Sequence, residues 1–155
     1  MILETSIDDY TALCAGDAPR HFLPADTAVA PLEIIKMLTS VADKVRQTFT
    51  PVSWLIVEDQ ELVGLCSVTR PPSAGVIDIG YGIAPSRRGR GIARKAIGEI
   101  VAWARYASHV AAITADTAPD NIASQRVLQF NGFSKIGERI DDEDGHLVCW
   151  RYLTE

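Results

Sequence analysis

One junction constrains this chain more than any other segment. Ile79-Gly80-Tyr81-Gly82-Ile83-Ala84-Pro85 reads as a strand that ends at a proline. Ser86-Arg87-Arg88-Gly89-Arg90-Gly91 follows as a turn crowded with arginine and glycine, and a helix opens at Ile92. A helix entered this way leaves the N–H groups of its first turn without intrahelical partners. The helix dipole adds partial positive charge at the same place, so the junction is an anion site. Gly89 and Gly91 remove side chains that would block close approach, and Arg87, Arg88 and Arg90 offer cationic partners suited to phosphate oxygens. The segment reads as a pyrophosphate cradle.

Two phosphate loops fail against it. A Walker-type loop needs Gly-Lys-Ser/Thr after its spacer, and none is present. A dinucleotide fingerprint needs G-x-G-x-x-G at the helix start. Gly80-Tyr81-Gly82 has Pro85 where its third glycine belongs, and Gly89-Arg90-Gly91 has Arg94 there.

The strand leading into the turn, Val76 to Ile83, sets Ile77, Ile79, Tyr81 and Ile83 on one face. Val76, Asp78, Gly80 and Gly82 share the other. Glycines inside a strand often mark close approach by a ligand or another backbone. The expectation is that a cofactor arm lies along this face and pairs with the strand edge; the alternative is close packing against a helix.

What does match is Arg88-x-x-Gly91-x-Ala93, with a second segment, Asp120-Asn121-Ile122-Ala123-Ser124-Gln125-Arg126-Val127-Leu128-Gln129-Phe130-Asn131-Gly132-Phe133. Together they resemble the two motifs of the GNAT superfamily of N-acetyltransferases, most like the branch of ribosomal-protein-alanine N-acetyltransferases. The resemblance runs from roughly Trp54 to Leu153. It implies one GNAT domain over residues 1–155, α/β, with a mixed, mostly antiparallel seven-stranded sheet flanked by about four helices. It also implies acetyl-CoA as co-substrate. The implied cofactor contacts are Tyr81, Gly82 and Ile83 on the strand, Arg88, Gly89, Arg90, Gly91, Ile92 and Ala93 at the turn, and Asn121 and Ser124.

The reaction so implied moves an acetyl group from a thioester to a primary amine, by direct attack in a ternary complex. Asp78 is the candidate base, because family members carry an acid near this point; an ion pair with a neighbouring arginine or simple solvation competes with that role. A backbone N–H near Ile83 would serve the carbonyl oxygen without needing a particular side chain. The family's tyrosine seven residues after the Asn is Leu128 here, so no tyrosine acid is carried over. Ser124 is carried over as a contact near the thiol. With a thiol pKa of about 8.5, it need only orient. Asn121 also reads as a helix N-cap. A catalytically silent acyl-CoA-binding module is the competing function.

Composition bounds the partners. A net charge of −5 and pI near 5.2 weigh against nucleic acid, because phosphate-backbone binding rests on excess Lys and Arg. No apolar run approaches the roughly 20 residues of a membrane span, and no basic-then-apolar leader begins the chain. Cys14, Cys66 and Cys149 lack C-x-x-C spacing, so reduced thiols, no metal and a cytoplasmic setting are expected. His21, His109 and His146 are dispersed and read as ordinary loop or surface residues. Asp141 to Asp144 reads as a solvated hairpin tip, with attraction of a cationic amine as the alternative. The expected acceptor is a small-molecule or peptide amine, and a homodimer is compatible with the family.

The rest of the chain is expected to form a strand near Met1–Thr5, a helix over Asp8–Ala15, a long loop from Gly16 to Pro31, and a helix from Leu32. Strands follow at Trp54–Val57 and Leu62–Val68, then a helix over Ile92–Ala107 and a strand at Val110–Thr114. A helix at Asn121–Phe130 and a hairpin of Phe133–Ile140 with Leu147–Leu153 complete the chain.

Overall fold

Alternating strands and amphipathic helices build the computed structural model, which describes residues 1–155. The order is β1 (Ile2–Glu4), α1 (Ile7–Cys14), β2 (Leu23–Pro24), α2 (Leu32–Arg46), β3 (Ser53–Glu58), β4 (Glu61–Val68) and β5 (Val76–Ile83). Then come α3 (Ile92–Tyr106), β6 (Ala112–Thr117), α4 (Ile122–Phe130), β7 (Ser134–Asp141) and β8 (Gly145–Leu153). The sheet runs β1-β3-β4-β5-β6-β8-β7, and β2 lies beside the start of β4. Neighbours are antiparallel except β5–β6 and β2–β4.

The sheet has eight strands rather than the expected seven. The addition comes from the segment read as plain loop. Leu23 N–H donates to Gln60 O at 2.9 Å and registers Leu23–Pro24 against Glu61–Leu62. A proline is tolerated in so short an edge strand because its missing N–H faces no partner. Just before it, Arg20 grips Asp9 with two donors, Nε at 2.9 Å and Nη2 at 2.7 Å, and so fastens the loop to α1. The strand expected at Val110 begins at Ala112 instead, because Val110 N–H closes a turn onto Ala107 O.

The helices take the stripes their periodicity dictates. On α3, Ile92, Ala96, Ile97, Ile100 and Ala104 are buried. Ala93 and Val101, which the helical period places on the same side, are only half-buried. Ile97 and Ile100 are fully covered, and each such side chain contributes about 1.5–3 kcal/mol by leaving water. Trp54 on β3 meets Trp103 on α3 edge-on, with ring centres 5.1 Å apart. The opposite face carries α2, whose Ile34 and Leu38 stand over Leu65, Gly80 and Gly82.

The feature that places the site is a split in the sheet. β5 and β6 pair only over Val76–Ile79 and Ala112–Ala115. Beyond that, β5 continues against β4 alone and β6 against β8. A wedge opens between two strands that remain parallel neighbours at their base.

Candidate active site

Backbone groups line the wedge. Ala84 N–H donates to Val63 O at 2.7 Å and Thr69 N–H to Asp78 O at 2.9 Å. Antiparallel alternation therefore commits Gly80 and Gly82 to β4 and turns the N–H and C=O groups of Tyr81 and Ile83 toward the open edge. Arg88 Nε donates to Ile83 O at 3.2 Å, which ties the following turn to the strand end.

The turn is shaped by backbone. Gly89 and Gly91 sit at φ +78° and +75°, where a side chain is strained, yet a Cβ on either would meet nothing within 4 Å. Glycine is required there for conformation rather than for room. Gly91 caps α3 without any side-chain hydrogen bond, so the first-turn N–H groups of the helix stay free for a ligand.

A cleft of about 820 Å³ runs from this turn along β5 to α4. Tyr81, Gly82, Ile83, Arg88, Gly89, Gly91, Ile92, Ala93, Asn121 and Ser124 all border it. Those sequence-selected residues are thus brought together. Arg90 is not: it faces an adjoining polar pocket with Glu58, Asp59 and Glu61. Arg87 borders the cleft, but its guanidinium is already held by Glu61, at 2.5 Å from Nε, and by Asp26, at 3.2 Å from Nη1. Its role is to brace the turn. The cleft's remaining cations are residues the motifs did not single out. Arg94, whose guanidinium stacks 3.7 Å from the Phe130 ring centre, and Arg126 both line it. Arg126 lies two residues beyond Ser124, which was the available clue. No carboxylate lines this cleft.

At its inner end two side chains meet. The Tyr81 hydroxyl and Ser124 Oγ lie 2.7 Å apart, joining β5 to the first turn of α4. Burial pushes the Tyr81 phenol up to about 12, more than the bond to Ser124 lowers it, so it stays protonated at neutral pH. Asn121 does cap α4, accepting from Ser124 N–H at 3.2 Å.

Asp78 stands at the base of β5, nearly buried. Its carboxylate accepts from Thr69 Oγ1 at 2.5 Å and Thr114 Oγ1 at 2.6 Å, and Arg70 Nη1 lies 3.4 Å away. It borders neither the cleft nor the next cavity. Thr69 does: it lines a second cavity of about 210 Å³ with Ser67, Gly80, Tyr81 and Gly82 below and Val29, Ala30, Ile34, Leu38 and Leu65 around. The two spaces share Tyr81 and Gly82, one on each side of β5. The loop carrying Val29 and Ala30 is bolted to the turn before α3. Ser86 N–H donates to Thr27 Oγ1 at 2.9 Å, and Thr27 N–H to Ser86 Oγ at 3.2 Å.

The other residues considered stay outside. Asp141 accepts from the N–H groups of Glu143 and Asp144, at 3.1 and 2.9 Å, and closes the hairpin tip on itself. Cys66 is buried, which pushes its thiol up, and Cys149 is half-buried. His146 pairs with Glu138 on the hairpin. No group of three or more His, Cys, Asp and Glu is placed to hold a metal ion. No helix is long and apolar enough to cross a membrane.

A split sheet, a glycine-arginine turn at a helix start and a cleft between them define a fold shared with known proteins. Residues 3–134 match the family model described as an acetyltransferase (GNAT) domain. The chain belongs to the GNAT acetyltransferase family. A relative is an uncharacterized N-acetyltransferase, YjdG, of Bacillus subtilis, 30% identical over 106 residues, or 66% of this chain and 60% of that protein. The aligned part thus spans less than two thirds of that relative. Among solved structures, the ribosomal L7/L12 alpha-N-protein acetyltransferase RimL, in complex with coenzyme A, superposes with a TM-score of 0.73. It is 16% identical, with 98% of this chain and 92% of that one covered. AAC(6')-Ib in complex with ribostamycin and coenzyme A gives 0.70 at 17% identity, covering 99% and 92%. At such identities these structures establish the common fold of this GNAT chain.

Proposed function

We propose that this GNAT chain is an N-acetyltransferase that uses acetyl-CoA and acetylates a primary amine. The observation that carries the reading is the cleft itself. It has free helix-start N–H groups and arginines at one end, a neutral hydroxyl pair at the other, and no carboxylate between. That donor set fits a long ligand whose charge is concentrated in a pyrophosphate and whose reactive end is uncharged. When bound, acetyl-CoA supplies an activated acyl group on a thioester.

The chain's own residues then have separable tasks. The first turn of α3, with Gly89 and Gly91, takes the phosphates. The free edge of β5 at Tyr81 and Ile83 holds the arm as a strand would, and its N–H groups meet charge developing on the carbonyl oxygen. A Tyr81 O–H given to Ser124 Oγ would leave the serine's own proton for the departing sulfur. With a phenol near 12 against a free thiol near 8.5, full transfer from Tyr81 is uphill, so the pair acts by hydrogen bonding. The amine enters from the smaller cavity, and Asp78 draws its proton through Thr69, to which it is already bonded.

Calorimetry with acetyl-CoA, followed by thiol release in the presence of amines, tests the reading. Binding in the micromolar range that is lost in Gly91→Glu, but kept in Gly91→Asn, is the expected result, because asparagine tolerates the left-handed backbone without adding charge. An intact protein that binds no acetyl-CoA refutes it.

A further inference from the structure

The cavity on the far side of β5 has a character opposite to that of the cleft, and it restricts the acceptor. Its wall is made by Ile34, Leu38, Val29 and Leu65, and the hydroxyls it adds are those of Ser67 and Thr69, since the Tyr81 hydroxyl is turned to Ser124 on the other side of β5. No Asp or Glu lines it. A single carboxylate lies one hydrogen bond behind the wall, Asp78 through Thr69. The entrance continues the apolar surface, since Ile34 is 38% exposed and Met37, three residues along α2, is 52% exposed. The volume, about 210 Å³, is close to a quarter of that of the cofactor cleft.

Resting on the acetyltransferase reading, we propose that the acceptor is a primary amine carried on a small apolar body, with no second cationic group. One ammonium can be relieved of its proton by the one buried carboxylate. A second would have to leave water against aliphatic side chains with no counter-charge, which strongly disfavours it. The apolar body, by contrast, exchanges water for Ile34, Leu38 and Val29 and is attracted by that burial. The same chemistry occurs in a free aliphatic amine and in a peptide whose first residue is small and apolar. Polyamines and aminoglycosides lie outside it.

The experiment compares kcat/KM for isobutylamine, an alanine-initiated tetrapeptide amide, spermidine and ribostamycin, by thiol release at saturating acetyl-CoA. Either of the first two is expected to exceed both polycations at least tenfold, and which of them leads identifies the source of the amine. Ile34→Asp puts a carboxylate in the wall of a partly exposed position, so the core is left intact, and its thermal transition checks this. It should narrow that preference at least fivefold with acetyl-CoA affinity unchanged within twofold. Spermidine or ribostamycin turned over as well as the apolar amines overturns the acceptor assignment and leaves the acetyltransferase reading standing. So does thiol release with none of the four while acetyl-CoA binds. Absence of acetyl-CoA binding overturns the reading and the assignment together.

Discussion

The two spaces on either side of β5 are built by different means. The larger cleft takes its chemistry from backbone: free N–H groups of α3, the edge of β5 at Tyr81 and Ile83 that no strand pairs, and two glycines at positive φ. The smaller cavity takes its character from side chains delivered by α2, β4 and the loop before α2. A backbone site is hard to retune by substitution, because most side chains leave its donors where they are. A side-chain site changes with every residue that lines it. The difference separates what this fold holds constant from what it leaves free to vary.

The sharpest way to break this contrast is charge at the turn. Two unit charges about 4 Å apart interact by roughly 4 kcal/mol near a protein surface, and screening by solvent leaves about half. Gly91→Glu is therefore expected to weaken acetyl-CoA by about thirtyfold, while Ile34→Asp leaves that affinity alone. Calorimetry on both variants decides whether the two sites are separable.

A smaller effect is expected where the spaces meet. Tyr81→Phe removes one neutral hydrogen bond, worth about 0.5–1.5 kcal/mol. It should lower kcat about threefold to tenfold while acetyl-CoA affinity stays within twofold. Ser124→Ala should cost a similar factor, and the double variant little more than either alone, since both disrupt one pair. Steady-state kinetics that gave additive losses would separate the roles of the two hydroxyls.

The smallest effect concerns the brace behind the turn. The hydrogen bond from Arg87 holds the Glu61 carboxyl below its ordinary value near 4.5. A lowered carboxylate adds stability above that ordinary value and loses it as the pH falls through the lowered one. Glu61→Gln should reduce Tm slightly at pH 7, and the gap to the parent should close below about pH 4.5. Thermal melts across that range measure it, and a gap independent of pH would mean the ion pair contributes nothing.

The same contrast explains what could be read beforehand. The turn before α3 is local: six consecutive residues specify a backbone conformation and a helix start, so its place is legible. Asn121 was legible as a cap for the same reason. Arg87 reads as a free cation in the sequence, because Glu61 and Asp26 reach it only after folding. Asp78 is visible as an acid on β5, but its bonds to Thr69 and Thr114 depend on the register of β5 with both neighbours. The Tyr81–Ser124 pair joins residues 43 positions apart. The smaller cavity was not legible at all, since periodicity sets Leu32, Ile35, Leu38, Ala42 and Val45 on one apolar face of α2 and says nothing of a void beside Ile34 and Leu38. The two-residue β2 lay below what pattern can resolve within a proline-broken loop.

The short ladder between β5 and β6 has one more consequence. Four residue pairs are all that stitch the five strands on one side of the wedge to the three on the other. Whatever lies along the free edge of Tyr81 and Ile83 becomes a guest strand, supplied from solution rather than encoded in the chain. Its binding energy is then also folding energy. A ligand at a hundred times its dissociation constant adds about 2.7 kcal/mol to the stability of the fold it completes. On the proposed function, the resistance of this protein to unfolding is set in part by the supply of its acyl donor.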